Sequence, residues 1–168
     1  GMTLVIATGG IDLSVGTIMA IAGGVTALLL GSKNVTTLQP QIPASLWIGI
    51  GAGLGAALLA GLWNGVLIGY VNVQPIVATL ILMVAGRGIA QLLTDGQIIT
   101  VYYAPFFALG NGFLLGVPVA LWIAAALWGL LHLLLSRTAL GLFIRAIGGN
   151  PEAARVAGIR AASITLCV

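Results

Sequence analysis

The sequence predicts an all-α protein, a polytopic bundle of transmembrane helices with about four full spans and the start of a fifth. Three observations carry that reading. Hydrophobic residues make up 60% of the 168 residues and charged ones 5%, against about a quarter charged in an ordinary soluble domain. The mean hydropathy is +1.19. The apolar residues also fall in long runs, of the ~18 residues or more that a helix needs to cross a bilayer, separated by links that hold most of the charge.

Each element follows from the local sequence. The first apolar stretch, Met2 to Leu30, is interrupted by Gly9-Gly10-Ile11-Asp12-Leu13-Ser14-Val15-Gly16. Glycines, an Asp and a Ser packed this closely predict a broken or unwound helix, followed by a continuous piece from about Val15 to Leu30. Gly31 to Ala44 is a polar loop carrying Pro40 and Pro43. The second span covers about Leu46 to Tyr70 and the third Ile76 to Leu93, joined by the short connector Val71–Pro75. Thr94 to Gly116 is a longer link with Tyr102, Tyr103, Phe106, Phe107 and Phe113, a composition suited to a lipid–water interface. A fourth span runs from Val117 to Leu135. The basic loop follows at 136–160, and a fifth span begins after it.

The second span places a small residue at every fourth position: Gly49, Gly53, Ala57, Gly61, Gly65 and Gly69. Such rows let helix backbones approach closely in lipid. A step of four overshoots the 3.6-residue turn, so the row drifts around the helix and its two halves are expected to meet different neighbours. A glycine row lining a pore is the alternative.

Inside the basic loop lies a small helix with its own start and stop signals. Asn150 can cap the first free N–H groups, Pro151 fits the first helical position and Glu152 faces the positive end of the dipole. Arg155 lies in the last turn, and Gly158 is placed to close the helix in a left-handed conformation. A self-capped helix on such a loop is suited to contact a partner in the cytoplasm. Orientation comes from the arginines, four of the five lying between Arg137 and Arg160. They put this loop in the cytoplasm, so Val71–Pro75 is cytoplasmic too, while Gly31–Ala44 and Thr94–Gly116 are external. Lys33 is the one basic residue on the outer side. The net charge of +3 therefore orients the chain and does not signal nucleic acid.

Composition also bounds the ends. Cys167 is a lone cysteine, so no disulfide within the chain is possible. The opening GMTLVIATGG has no basic region and no small-residue cleavage site, so a cleavable signal peptide is not expected there. Both ends lie in apolar sequence, and the chain is expected to be part of a longer membrane protein.

Few polar residues interrupt the spans. Asp12 either caps the helix beginning near Leu13, with Ser14 assisting, or lies on a substrate path; a cytoplasmic or lipid-edge position is the third option. Arg87 falls near mid-membrane, as part of a buried ion pair, snorkelling outward, or acting on substrate or gating. Asp12 and Arg87 are each the only charge of their sign in their stretch, and mutual neutralisation would relieve both. Asn64 and Gln91 are of the type that glues helices together, with Asn64 also a candidate for the path. His132 reads as an interfacial residue without a metal cluster around it. There is no Walker A sequence, no HExxH and no Gly-x-Ser-x-Gly elbow. Asp12 lacks the second carboxylate an intramembrane aspartyl protease needs. No catalytic residue, metal ligand or cofactor site is assigned.

Three motifs in the same order, GMTLVIATGGIDLSVG, QPIVATLILMVAGRGIAQLLTDGQ and TALGLFIRAIGGNPEAARVAGI, together resemble the permease subunits of bacterial sugar ABC importers of the ribose, xylose and galactose type. MTLVIATGGIDLSVG and VATLILMVAGRG are most like galactofuranose-type permeases. The resemblance implies that residues 1–168 are part of a single permease domain of about twice this length in the bacterial inner membrane. It implies a second permease subunit, cytoplasmic ABC ATP-binding subunits that bind the ATP, and a periplasmic sugar-binding protein. It also implies that Gly149, Asn150, Pro151, Glu152, Ala153, Ala154, Arg155 and Gly158 engage the ATPase. Substrate-path candidates are Asp12, Ser14, Asn64 and Arg87. A branched-chain amino-acid importer permease is the runner-up, an ion-coupled secondary transporter would explain the broken helix equally well, and an intramembrane enzyme is third.

Overall fold

A computed structural model of the chain describes residues 2–31, 46–101 and 104–168. Apart from Gly31, the expected polar loop lies outside the described residues, as do Lys33, Tyr102 and Tyr103. The first apolar stretch is split into α1 (Met2–Ala7) and α2 (Val15–Leu30). α3 (Leu46–Gly69) and α4 (Pro75–Leu93) form the next antiparallel pair, with Pro75 at the start of α4 where its missing N–H costs nothing. α5 (Ala104–Asn111), a hairpin of β1 (Phe113–Leu114) and β2 (Val117–Pro118), and α6 (Val119–Arg137) follow. The chain then folds as α7 (Ala139–Gly149), α8 (Pro151–Val156) and α9 (Ala161–Cys167).

Three helices, α3, α4 and α6, are long and apolar enough to cross a membrane. α2 has 16 residues, about 24 Å at 1.5 Å per residue, short of the ~30 Å hydrocarbon core. The first of the four expected spans therefore reaches bilayer length only with its broken segment included.

Glycine sets the packing. α2 runs antiparallel to α3: a Cβ on Gly49 would lie 2.7 Å from Leu30, and one on Gly53 would overlap Thr26. Lower on the same row, a Cβ on Gly65 would approach Leu166 at 3.0 Å and one on Gly69 the Ala162 carbonyl at 2.8 Å. The upper half of the row thus packs on α2 and the lower half on α9, the division its drift predicts. α4 lies along α2 in the same direction. Thr17 Oγ1 donates to the Met83 carbonyl at 3.1 Å, and Gly86 leaves room for Thr17 and Ile21.

Two regions are more ordered than the sequence suggested. In the Thr94–Gly116 link, Leu115 (φ 54°) and Gly116 (φ 78°) make the tight turn of the hairpin, the two positive φ values that a twisted two-residue connection needs. The hairpin delays the start of α6 to Val119. In the basic loop, α7 precedes the expected small helix and buries Gly141, Ile144 and Ile147. Arg145 bonds the Gly141 carbonyl one turn back in α7 at 3.1 Å and reaches the Leu135 carbonyl at 3.1 Å, satisfying a carbonyl near the end of α6. Ile144, Ile147, Ala154 and Ile164 form the core that joins α7, α8 and α9, with Leu4 and Ala7 of α1 packed against it.

Candidate functional site

The helix break and α8 are the two places where polar groups are set deliberately. At the break, α1 closes with Gly9 in the left-handed region at φ 80°. The Gly10 N–H donates to the Val5 carbonyl and the Gly9 N–H to the Ile6 carbonyl, both at 3.0 Å, the paired bonds of a Schellman closure. The chain resumes with Asp12, whose Oδ1 accepts from the Ser14 N–H at 2.7 Å and the Ser14 hydroxyl at 2.6 Å. Ser14 already has helical angles (φ −85°, ψ −9°) but makes no side-chain cap bond of its own. Asp12 therefore forms a tight Asx turn that holds the Ser14 N–H just ahead of α2, with its carboxyl group near the positive end of the helix dipole.

Ser14 is fully buried and Asn64 is 6% exposed. Asn64 Nδ2 donates to Ser14 Oγ at 3.1 Å, which joins α3 to the break. The direction of this chain is fixed from its end. The Ser14 hydroxyl donates to Asp12, so its oxygen is left to accept from the Asn64 amide nitrogen. Asn64 Oδ1 is then a buried acceptor with no partner, a cost of about 1–3 kcal/mol. The group lines a cavity of about 220 Å³ between the break, the lower half of α3, the start of α4 and α9. Gly61, which a Cβ would not crowd, together with Thr8, Thr79 and Thr165, completes its more polar wall.

The candidate path residues divide. Asp12, Ser14 and Asn64 come together; Arg87 does not join them. Arg87 is exposed on α4, and the bonds of Asp12 go to Ser14. The reason lies in the parallel course of α2 and α4, which sets Gly86 beside Thr17 and Ile21 and so carries Arg87 well past the break. An Asp12–Arg87 ion pair is not formed. Thr165 and Thr79 were missed as lining residues, because nothing in their local sequence signals that α9 and α4 converge beside Ser14. His132 stacks on Trp128 with ring centroids 5.7 Å apart on α6, which buries none of its residues.

α8 carries the caps its sequence predicts. Asn150 Oδ1 accepts from the Glu152 N–H at 3.1 Å and the Ala153 N–H at 3.0 Å. At the other end Gly158 has φ 86°, with the Gly158 N–H bonded to the Arg155 carbonyl and the Ile159 N–H to the Ala154 carbonyl, both at 3.0 Å. α8 also has an apolar partner within the chain, since Ala154 is buried at 4% in the α7–α9 core. Gly149, Asn150, Pro151, Glu152, Ala153, Arg155 and Gly158 are exposed. Val156, not singled out from sequence, is 85% exposed beside them.

Comparison with known proteins gives this geometry a context. A family described as branched-chain amino acid transport system / permease component matches residues 1–168. Galactofuranose transporter permease protein YtfT of Escherichia coli K12 is 49% identical over 99% of this chain and 46% of its own length. Fructose import permease protein FruF of Bifidobacterium longum is 38% identical over 100% of this chain and 46% of its own. Ribose import permease protein RbsC of Haemophilus influenzae is 36% identical over 100% and 50%. The chain thus spans about half the length of the curated relatives it matches. No solved structure matches it. The family description names amino acids while these relatives are named for sugars, but all are permeases. With the match running over residues 1–168 and three helices of spanning length, the chain belongs to this permease family and is part of a multi-pass membrane protein.

Proposed function

We propose that this chain works within the permease subunit of an ATP-driven ABC importer for a monosaccharide in the bacterial inner membrane, with galactofuranose as the first choice of sugar. The single observation that carries the reading is the 49% identity to a galactofuranose transporter permease; relatives named for fructose and ribose support the sugar class. The subunit has no catalytic role and no cofactor of its own. ATP is bound and hydrolysed by partner subunits, a second permease subunit completes the path, and a periplasmic binding protein delivers the sugar. The exposed face of α8 seats in the ATPase, and the Asp12–Ser14–Asn64 cavity lies beside the path.

The break itself favours a neutral cargo. A half-helix N-terminus in the membrane suits an anionic substrate group, as in an amino-acid zwitterion. At α2 that position already holds the Asp12 carboxylate. A second carboxylate would meet like charge there, whereas a sugar would not. Reconstitution of the full-length transporter with its binding protein and ATPase in proteoliposomes, with labelled galactofuranose, ribose, fructose and L-arabinose, tests the proposal. ATP-dependent uptake of at least one sugar is expected. Leucine or isoleucine uptake without any sugar would identify the amino-acid importer instead, and uptake driven by an ion gradient without ATP would identify a secondary transporter.

A further inference from the structure

We infer that Asn64 is a specificity-determining residue, whose Oδ1 accepts a hydrogen bond from a hydroxyl of a neutral polyhydroxylated cargo. This inference rests on the sugar-permease reading above. Its starting point is the one buried side-chain polar atom without a partner among the described residues. Asn64 cannot resolve this by turning its amide over. Ser14 gives its proton to Asp12 and offers only an acceptor, so a flipped Asn64 would set oxygen against oxygen. The relay from Asp12 through Ser14 thus holds the amide with Oδ1 left over, on a residue lining the cavity.

The missing partner must be a donor. The carboxylate of Asp12 on the same wall disfavours an anion, and the other lining groups are threonines, glycines and aliphatic side chains. A polyhydroxylated molecule that can donate one hydroxyl to Oδ1 and lay a C–H face on Ile18 and Ile68 fits this mixture. Oδ1 is buried as the cavity now stands, so the contact requires the walls from α3 and α9 to part, and cargo binding would favour the parted arrangement.

The test uses the reconstituted full-length transporter carrying Asn64→Leu, which keeps a similar volume and removes the Oδ1 acceptor together with the Nδ2 donor to Ser14, with Asn64→Gln as the variant that retains both amide groups. The expected result for Asn64→Leu is sugar uptake lowered about threefold to tenfold, the factor one hydrogen bond supplies. The same variant should lose the upward shift of melting temperature that the transported sugar gives the wild-type complex, with assembly unchanged. Asn64→Gln should recover part of both. Uptake and ligand-induced shift at wild-type levels in Asn64→Leu would overturn the inference, and would mean that ordered water alone satisfies Oδ1. Should Asn64→Leu fail to assemble, the inference stands or falls on Asn64→Gln: reduced uptake with normal assembly supports it, and wild-type uptake and shift overturn it. Absence of sugar uptake by the wild-type transporter would instead defeat the proposed function.

Discussion

Asp12 and Arg87 are each the single charge of their sign in an apolar stretch, and the bundle accommodates them separately. Asp12 is held by two hydrogen bonds from Ser14 at the entry to α2, while Arg87 projects from the exposed side of α4. Removing these bonds, in Asp12→Ala, should cost about 0.5–1.5 kcal/mol, and Asp12→Asn less, since asparagine forms the same turn. Arg87→Gln removes a different interaction in a different place. Thermal unfolding of the solubilised full-length transporter should therefore show losses for Asp12→Ala and Arg87→Gln that add within ~0.5 kcal/mol in the double mutant. Partial recovery in the double mutant would show that the two charges meet. The sequence marked both residues as unusual but could not say how far apart they lie, because that depends on the direction and register of α4 against α2. By contrast, a local turn at Asp12 was legible from an acidic side chain among glycines just before an apolar run, although α2 begins at Val15 with Ser14 at its cap position rather than near Leu13.

Among the elements, α3 shows most directly how sequence becomes packing. Its glycines are not equivalent: Gly53 lies against Thr26 and the Ala22 carbonyl, whereas a Cβ on Gly51 would meet nothing within 4 Å. Gly53→Leu must push α2 away from α3 and should destabilise by about 1–3 kcal/mol or more. Gly51→Ala should be neutral, or stabilising by up to ~1 kcal/mol through reduced backbone freedom. Equal melting temperatures for the two variants would refute the packing scheme. The ends of α3 and α4 were readable from sequence to within about a residue, because a lipid-length apolar run bounded by Asn72 and Gln74 leaves little freedom. α5, the hairpin and α7 were not. Leu115 adopts a positive φ that leucine rarely takes, so its turn carries no ordinary sequence mark. α7 was hidden because its arginine-rich surroundings read as loop, although Ile144 and Ile147 lie three apart on one buried face.

At the scale of the molecule, packed contacts join α8 to the wall of the cavity. Ala154 ties α8 to Ile144 and Ile147 of α7 and Ile164 of α9, and the lower glycines of α3 hold α9 closely. α9 also lines the cavity through Thr165 and Leu166. A displacement of α8 would thus pass to the cavity wall through packed contacts rather than through a flexible link, a rigid-body switch of the kind that alternates between two arrangements. On the function proposed above, the exposed side of α8, with Glu152, Arg155 and Val156, is the surface an ATPase subunit would contact. In the full-length transporter, Arg155→Glu should lower sugar-stimulated ATP hydrolysis at least about tenfold, the scale of a charge reversed across an interface. Gly158→Val should do the same by a separate cause, since valine is strained at φ 86° and would undo the closing turn. Membrane insertion, read from the amount of each variant in the membrane fraction, should match wild type because neither residue lies in a span. ATP hydrolysis that remains fully stimulated by sugar in both variants would show that α8 does not transmit the stroke.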